Sequence, residues 1–109
     1  MATTYKVLGQ VVPSASTTTT LYTVPSATQT IVSTISVCNQ NSTAAVYRIA
    51  VRPAGATLDP KHYIVYGATV PGIDTTMLTV GLTLAATDVL SIWSSAANIS
   101  FNVYGSEIA

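Results

Sequence analysis

Ala45-Val46-Tyr47-Arg48-Ile49-Ala50-Val51-Arg52 alternates residue by residue. Tyr47, Ile49 and Val51 share one side, and Val46, Arg48, Ala50 and Arg52 share the other, which is the period-two pattern of a half-buried strand. Pro53-Ala54-Gly55 ends the run, because proline offers no N–H to a ladder. Seven more segments of this kind fill the chain, at residues 5–12, 21–24, 29–39, 62–70, 75–84, 88–94 and 99–107. Pro, Gly, Asn, Asp or Ser/Thr clusters separate them. Short strands at nearly even spacing predict an all-β protein: a single antiparallel β-sandwich of about eight strands, jelly-roll or immunoglobulin-like, spanning residues 1–109 as one domain.

Three segments give the facing. In the third, Ile31, Ile35 and Val37 are expected on one face and Val32, Thr34, Ser36 and Cys38 on the other. In the sixth, Leu78, Val80, Leu82 and Leu84 point inward while Thr79, Gly81 and Thr83 point out. In the last, Ile99, Phe101 and Val103 point inward, with Ser100, Asn102 and Tyr104 outward. One apolar and one hydroxyl-rich face per strand is the antiparallel habit. Asp59-Pro60 could start a helix, but Tyr63-Ile64-Val65-Tyr66 favours a strand. The low-complexity tract 13–20 is a loop whose Thr run leads into the second strand.

Only 7% of the 109 residues are charged, against roughly 25% in ordinary soluble domains. Eighteen Thr and eleven Ser take their place. Four basic and four acidic residues cancel. A neutral surface has no field to gather phosphates, so no nucleic-acid partner is expected. It also resists association weakly, which favours life inside an assembly. Cys38 stands alone, so no internal disulfide can form, and a buried inert thiol is the expected role. The N-terminus shows no basic stretch leading into an apolar run, and no apolar run reaches the 18 residues of a membrane helix; neither secretion nor a membrane partner is expected.

No catalytic set is visible. His62 is the sole histidine, no serine lies in a Gly-x-Ser-x-Gly elbow, and Asp59, Asp74 and Asp88 fall at turns where Asp serves the backbone. Metal-ligand and phosphate-loop spacings are absent, so no enzyme activity, metal or cofactor is expected. Trp93 has an undecided face, with core packing the first reading. The residues suited to a partner are Arg48 and Arg52, about 13 Å apart on one side of a strand, together with Lys61, His62 and Tyr66. Arginine forks pair with carboxylates and tyrosines bury a ring while keeping a polar tip. The plainer alternatives are solvated arginines and an exposed Lys61-His62 pair.

Tyr5-Lys6-Val7-Leu8-Gly9-Gln10, Leu21-Tyr22-Thr23-Val24-Pro25 and Tyr47-Arg48-Ile49-Ala50-Val51-Arg52-Pro53 resemble small virion proteins of tailed bacteriophages. Lys61-His62-Tyr63-Ile64 and Leu82-Thr83-Leu84-Ala85-Ala86-Thr87-Asp88-Val89 do so too. The resemblance implies a β-sandwich made in the host bacterial cytoplasm and carried in the virion. It implies a capsid cement (decoration) subunit, a homo-oligomer with a trimer first, bound to the major capsid protein or other virion proteins. The alternative it leaves is an accessory neck, tail or fibre module that binds a host receptor or glycan.

Overall fold

The structure is a computed structural model and describes residues 2–109. All eight expected strands form: β1 (Thr3–Val11), β2 (Thr19–Thr23), β3 (Gln29–Asn39), β4 (Ala45–Arg52), β5 (Tyr63–Val70), β6 (Asp74–Leu84), β7 (Val89–Ser94) and β8 (Ile99–Ile108). They make two four-stranded antiparallel sheets, ordered β1-β8-β3-β6 and β2-β7-β4-β5. First pairs with last, second with seventh, third with sixth and fourth with fifth, so the chain is one long hairpin rolled into two layers. This is jelly-roll connectivity; the immunoglobulin alternative groups its strands differently. The helix-like start at Asp59-Pro60 amounts to a single 3-10 turn, Pro60–His62, before β5 begins.

Inward residues of the two sheets meet in one core. Tyr47 of β4 packs edge-on against Phe101 of β8 across the layers, ring centroids 6.3 Å apart. Val32, Ile35, Val37, Ile49, Leu90, Ile92, Ile99 and Val103 surround them, each essentially inaccessible. The facings expected for β6 and β8 hold: Leu84, Ile99, Phe101 and Val103 are buried, and Leu78, Val80 and Leu82 pack against the core.

In β3 one expected facing is wrong. Ile31 is exposed on the outer face and Val32 is fully buried. Both ladders of β3 slip between Val32 and Thr34: Ser33 is an extra residue against β8, while β6 spends the extra residue between Thr79 and Leu82, so the inward side passes from even to odd positions of β3. Ile35 and Val37 then face inward as expected. Cys38, expected to be buried, lies half-exposed on the outer side.

Gly9 is an inward position of β1, paired with Val103 of β8 and lying against β2 of the other sheet. A methyl group there would run into the carbonyl oxygen of Leu21 in β2. Nearby a polar cluster closes the open side of the sandwich. The Tyr22 hydroxyl donates to Glu107 Oε2 at 2.5 Å and lies 2.8 Å from Thr30 Oγ1, while Lys6 Nζ reaches Glu107 Oε1 at 3.2 Å. Burial first, and then the bond to Glu107, pushes the Tyr22 phenol up to about 12. The Tyr22 bond, aided by Lys6, holds the Glu107 carboxyl below its ordinary value.

Two outcomes follow. Gly9→Ala should lower stability by about 1–3 kcal/mol, the usual cost of overpacking, read as a reduced urea midpoint with unchanged slope. Because the folded pKa of Glu107 is depressed, its contribution is present above 4.5 and lost as pH falls through the folded value. Wild-type stability should therefore begin to fall as pH approaches 4.5 from above and go on falling below it, and Glu107→Gln should flatten that slope.

Candidate functional site

The outer face of the β2-β7-β4-β5 sheet carries the arginines. The register sets Trp93 of β7, Arg48 of β4 and Tyr66 of β5 in one cross-strand row. The Arg48 guanidinium lies between the two rings, 3.9 Å from the Trp93 centroid and 4.4 Å from that of Tyr66. Its Nε is buried and has no hydrogen-bond partner among the described residues. The negative ring faces supply in part what that nitrogen lacks; each stack is worth about 0.5–2 kcal/mol, more as water is excluded. Trp93 thus faces outward, opposite Leu90 and Ile92, and belongs to this stack instead of the core.

Arg52 emerges on the same side but is already engaged. Its Nε donates to Ser91 Oγ at 3.1 Å and its Nη1 to the Ala56 carbonyl at 3.1 Å, so it ties β4 to β7 and to the following turn. His62 is not the exposed neighbour of Lys61 that the sequence suggested. It is 8% accessible, and its Nδ1 accepts the Asp59 N–H at 3.0 Å while Asp59 Oδ1 accepts the Lys61 N–H. His62 therefore holds the 3-10 turn. Lys61 is exposed, and Tyr66 is 66% exposed beside Arg48. Of the five expected partner residues, Arg48 and Tyr66 come into direct contact.

Tyr66 also meets Tyr63 edge-on, centroids 4.8 Å apart. These two rings, with Leu58, Asp59 and Pro60, line a groove of about 560 Å³ along the β5 side. Tyr63 is one of the aromatics that the sequence offers for stacking on a sugar, whereas Leu58 carried no signal, because nothing local shows that the loop after β4 folds beside β5. The other carboxylates do what turn positions predict. Asp74 Oδ1 accepts from Thr75 N–H, and Asp88 takes the N–H groups of Ala54 and Ala85, both at 2.9 Å.

The opposite outer face, on the β1-β8-β3-β6 sheet, is different in kind. Three cross-strand rows cover it: Tyr5, Ser106, Ile31 and Thr83; Val7, Tyr104, Thr34 and Thr79; Gln10, Asn102, Ser36 and Met77. None of these residues is charged. Tyr5, Val7, Ile31 and Met77 are 83, 46, 42 and 60% accessible, and they are half of the large apolar side chains exposed among the described residues. Asp74 heads β6 beyond these rows, and Lys6 and Glu107 turn to the inner side.

An eight-stranded jelly roll with one polar-aromatic face and one uncharged face is the class of protein these features define. No family model and no curated protein matches the chain. A chain in the solved structure of infectious bursal disease virus, Gx strain, is similar over 97% of this chain, with a TM-score of 0.59 and 11% sequence identity. This chain spans 32% of the length of that one. At that identity the likeness concerns the fold, since one fold serves many functions.

Trp93 is the sole tryptophan, so its fluorescence reports the stack directly. Arg48→Ala should shift Trp93 emission to longer wavelength and cost about 1–2 kcal/mol of stability. Arg48→Lys should restore part of the stability and little of the emission, because an ammonium cannot stack as a plane.

Proposed function

We propose that this chain is a non-enzymatic structural subunit of a virus particle: a capsid cement, or decoration, protein of a tailed phage. It attaches to the major capsid protein through the outer face of the β1-β8-β3-β6 sheet. The observation that carries this reading is the absence of charge from that face together with its exposed Tyr5, Val7, Ile31 and Met77. Covering such a face removes apolar area from water and strips no ion of its hydration. Four strands spaced about 4.8 Å and some ten residues long present roughly 600 Å², approaching the ~800 Å² each partner gives to a standard interface. The jelly roll, its likeness to a chain of a virus structure, and the segments that resemble phage virion proteins support the same reading.

Cementing follows from linkage. A subunit that binds the closed lattice and not its separated parts lowers the free energy of the closed state alone, so it opposes disassembly. A homo-oligomer, a trimer first, multiplies modest contacts by holding several copies at high effective concentration. One observation favours a second reading, a neck, tail or fibre module that binds a host receptor: the Tyr63–Tyr66 groove lies on the other face and stays open when the uncharged face is covered.

Quantitative mass spectrometry and imaging of purified particles test the proposal. Many copies on the head are expected. Met77→Glu with Thr79→Asp should leave the isolated protein folded, because both positions are outward. Occupancy of the particle should fall at least tenfold, since an unpaired buried carboxylate costs several kcal/mol. Particles that lack the protein, or that hold the double variant at wild-type occupancy, refute the proposal.

A further inference from the structure

The groove on the β5 side has walls of a particular chemistry. Two tyrosine rings meet at right angles, 82° between planes, and Tyr66 is two-thirds exposed. Leu58 and Pro60 add apolar surface, and the one ionisable acid lining it is Asp59. The Asp59 carboxylate accepts the Lys61 N–H through Oδ1 and the His62 N–H of the same turn, and as an exposed group with two oxygens it has lone pairs left for hydroxyl donors. The volume of about 560 Å³ falls within the roughly 300–1,000 Å³ of small-ligand sites.

We infer that this groove binds a neutral pyranoside, the sugar's C–H face on one of the two tyrosine rings, its edge against the other, and its hydroxyls on the Asp59 carboxylate. An aromatic face is negative and attracts the weakly positive C–H groups of a pyranose ring. A carboxylate accepts strong, charge-assisted hydrogen bonds from hydroxyl donors. Charge selects among rivals. The Arg48 guanidinium, 4.4 Å from the Tyr66 centroid, already occupies that ring as a cation and opposes a second one, such as a quaternary ammonium. Asp59 in the wall opposes an acidic sugar. An uncharged polyhydroxylated ligand satisfies both. The 3-10 turn that carries Asp59 and Pro60 is fixed by the reciprocal Asp59–His62 bonds, so the carboxylate is held in place before any ligand arrives.

The assignment stands apart from attachment to a particle, because it concerns the other face and is tested on the isolated chain. Tyrosine ring resonances are followed by NMR during titration with methyl glucoside, methyl galactoside and methyl mannoside, with N-acetylneuraminic acid and choline as charged controls. At least one neutral glycoside should shift Tyr63 and Tyr66 saturably at millimolar concentration, with Tyr5 and Tyr104 unmoved. Tyr63→Leu, which keeps apolar bulk, should weaken binding about tenfold or more. Asp59→Asn keeps a good turn cap and should weaken it several-fold. Overturning results are no shift with any neutral glycoside, choline or the acidic sugar binding in their place, or both variants binding as the wild type does. A negative result leaves the uncharged face and its role intact, and absence from particles leaves the groove intact.

Discussion

β8 lies between β1 and β3, and the rest of the structure hangs on that placement. Thr3 pairs with Ile108 and Val11 with Phe101 on one side; Gln29 pairs with Ile108 and Asn39 with Ile99 on the other. The final strand is therefore the one that joins the first third of the chain into a sheet. It also delivers Phe101 to Tyr47, the contact that fixes one layer over the other. Nearly every pairing in this topology is non-local, so loop-closure entropy is spent before sheet contacts return it, and slow folding is the physical consequence. The Tyr22–Glu107–Lys6 cluster sits where β8 ends, pinning its last turn of alternation against both β1 and β2.

Strand positions were legible because β-branched runs and their breakers are local signals. β3 and β4 begin and end where the residues predict, and the others differ by a few residues. Facing was legible wherever alternation ran unbroken, as in β6 and β8. It failed at Ile31-Val32-Ser33-Thr34. Ile31 and Val32 are both β-branched aliphatics, and the register slip at Ser33 depends on how β6 and β8 pair with this strand, which no local pattern encodes. The choice between jelly roll and immunoglobulin connectivity was hidden for the same reason: strand order is a property of partners.

For the arginine face the sequence carried the side but not the bonding. Arg48 and Arg52 do project together from β4, yet one is stacked between rings from β5 and β7 while the other holds Ser91 and the Ala56 carbonyl. A partner's carboxylate would have to compete with those contacts for either guanidinium. His62 shows how a titratable side chain in a turn is recruited by the backbone: the Asp59 N–H needed an acceptor, and an imidazole three residues on reaches it. Leu58 acquired its place from tertiary structure alone, and so did the right-angled pairing of Tyr63 with Tyr66.

The two outer faces divide the surface by solvation cost. Both arginines, the sole tryptophan and the Asp59 turn lie on or beside one sheet, where stacking and turn hydrogen bonds have already used much of their capacity. The opposite sheet keeps hydroxyls, amides and scattered apolar side chains; its polar groups cost less to desolvate than charges do, provided a partner supplies them with hydrogen bonds. In so weakly charged a chain, steering by long-range field is slight, so the attachment proposed above would have to rest on contact area. Such a face would also invite indiscriminate pairing of its two edge strands, β1 and β6. Each edge is interrupted: β1 slips register between Val7 and Gly9, and β6 carries Gly81 at a positive φ of 60°. Bulged, twisted edges are poor templates for another strand. That leaves the broad face, and not the edges, as the surface on which association can be specific.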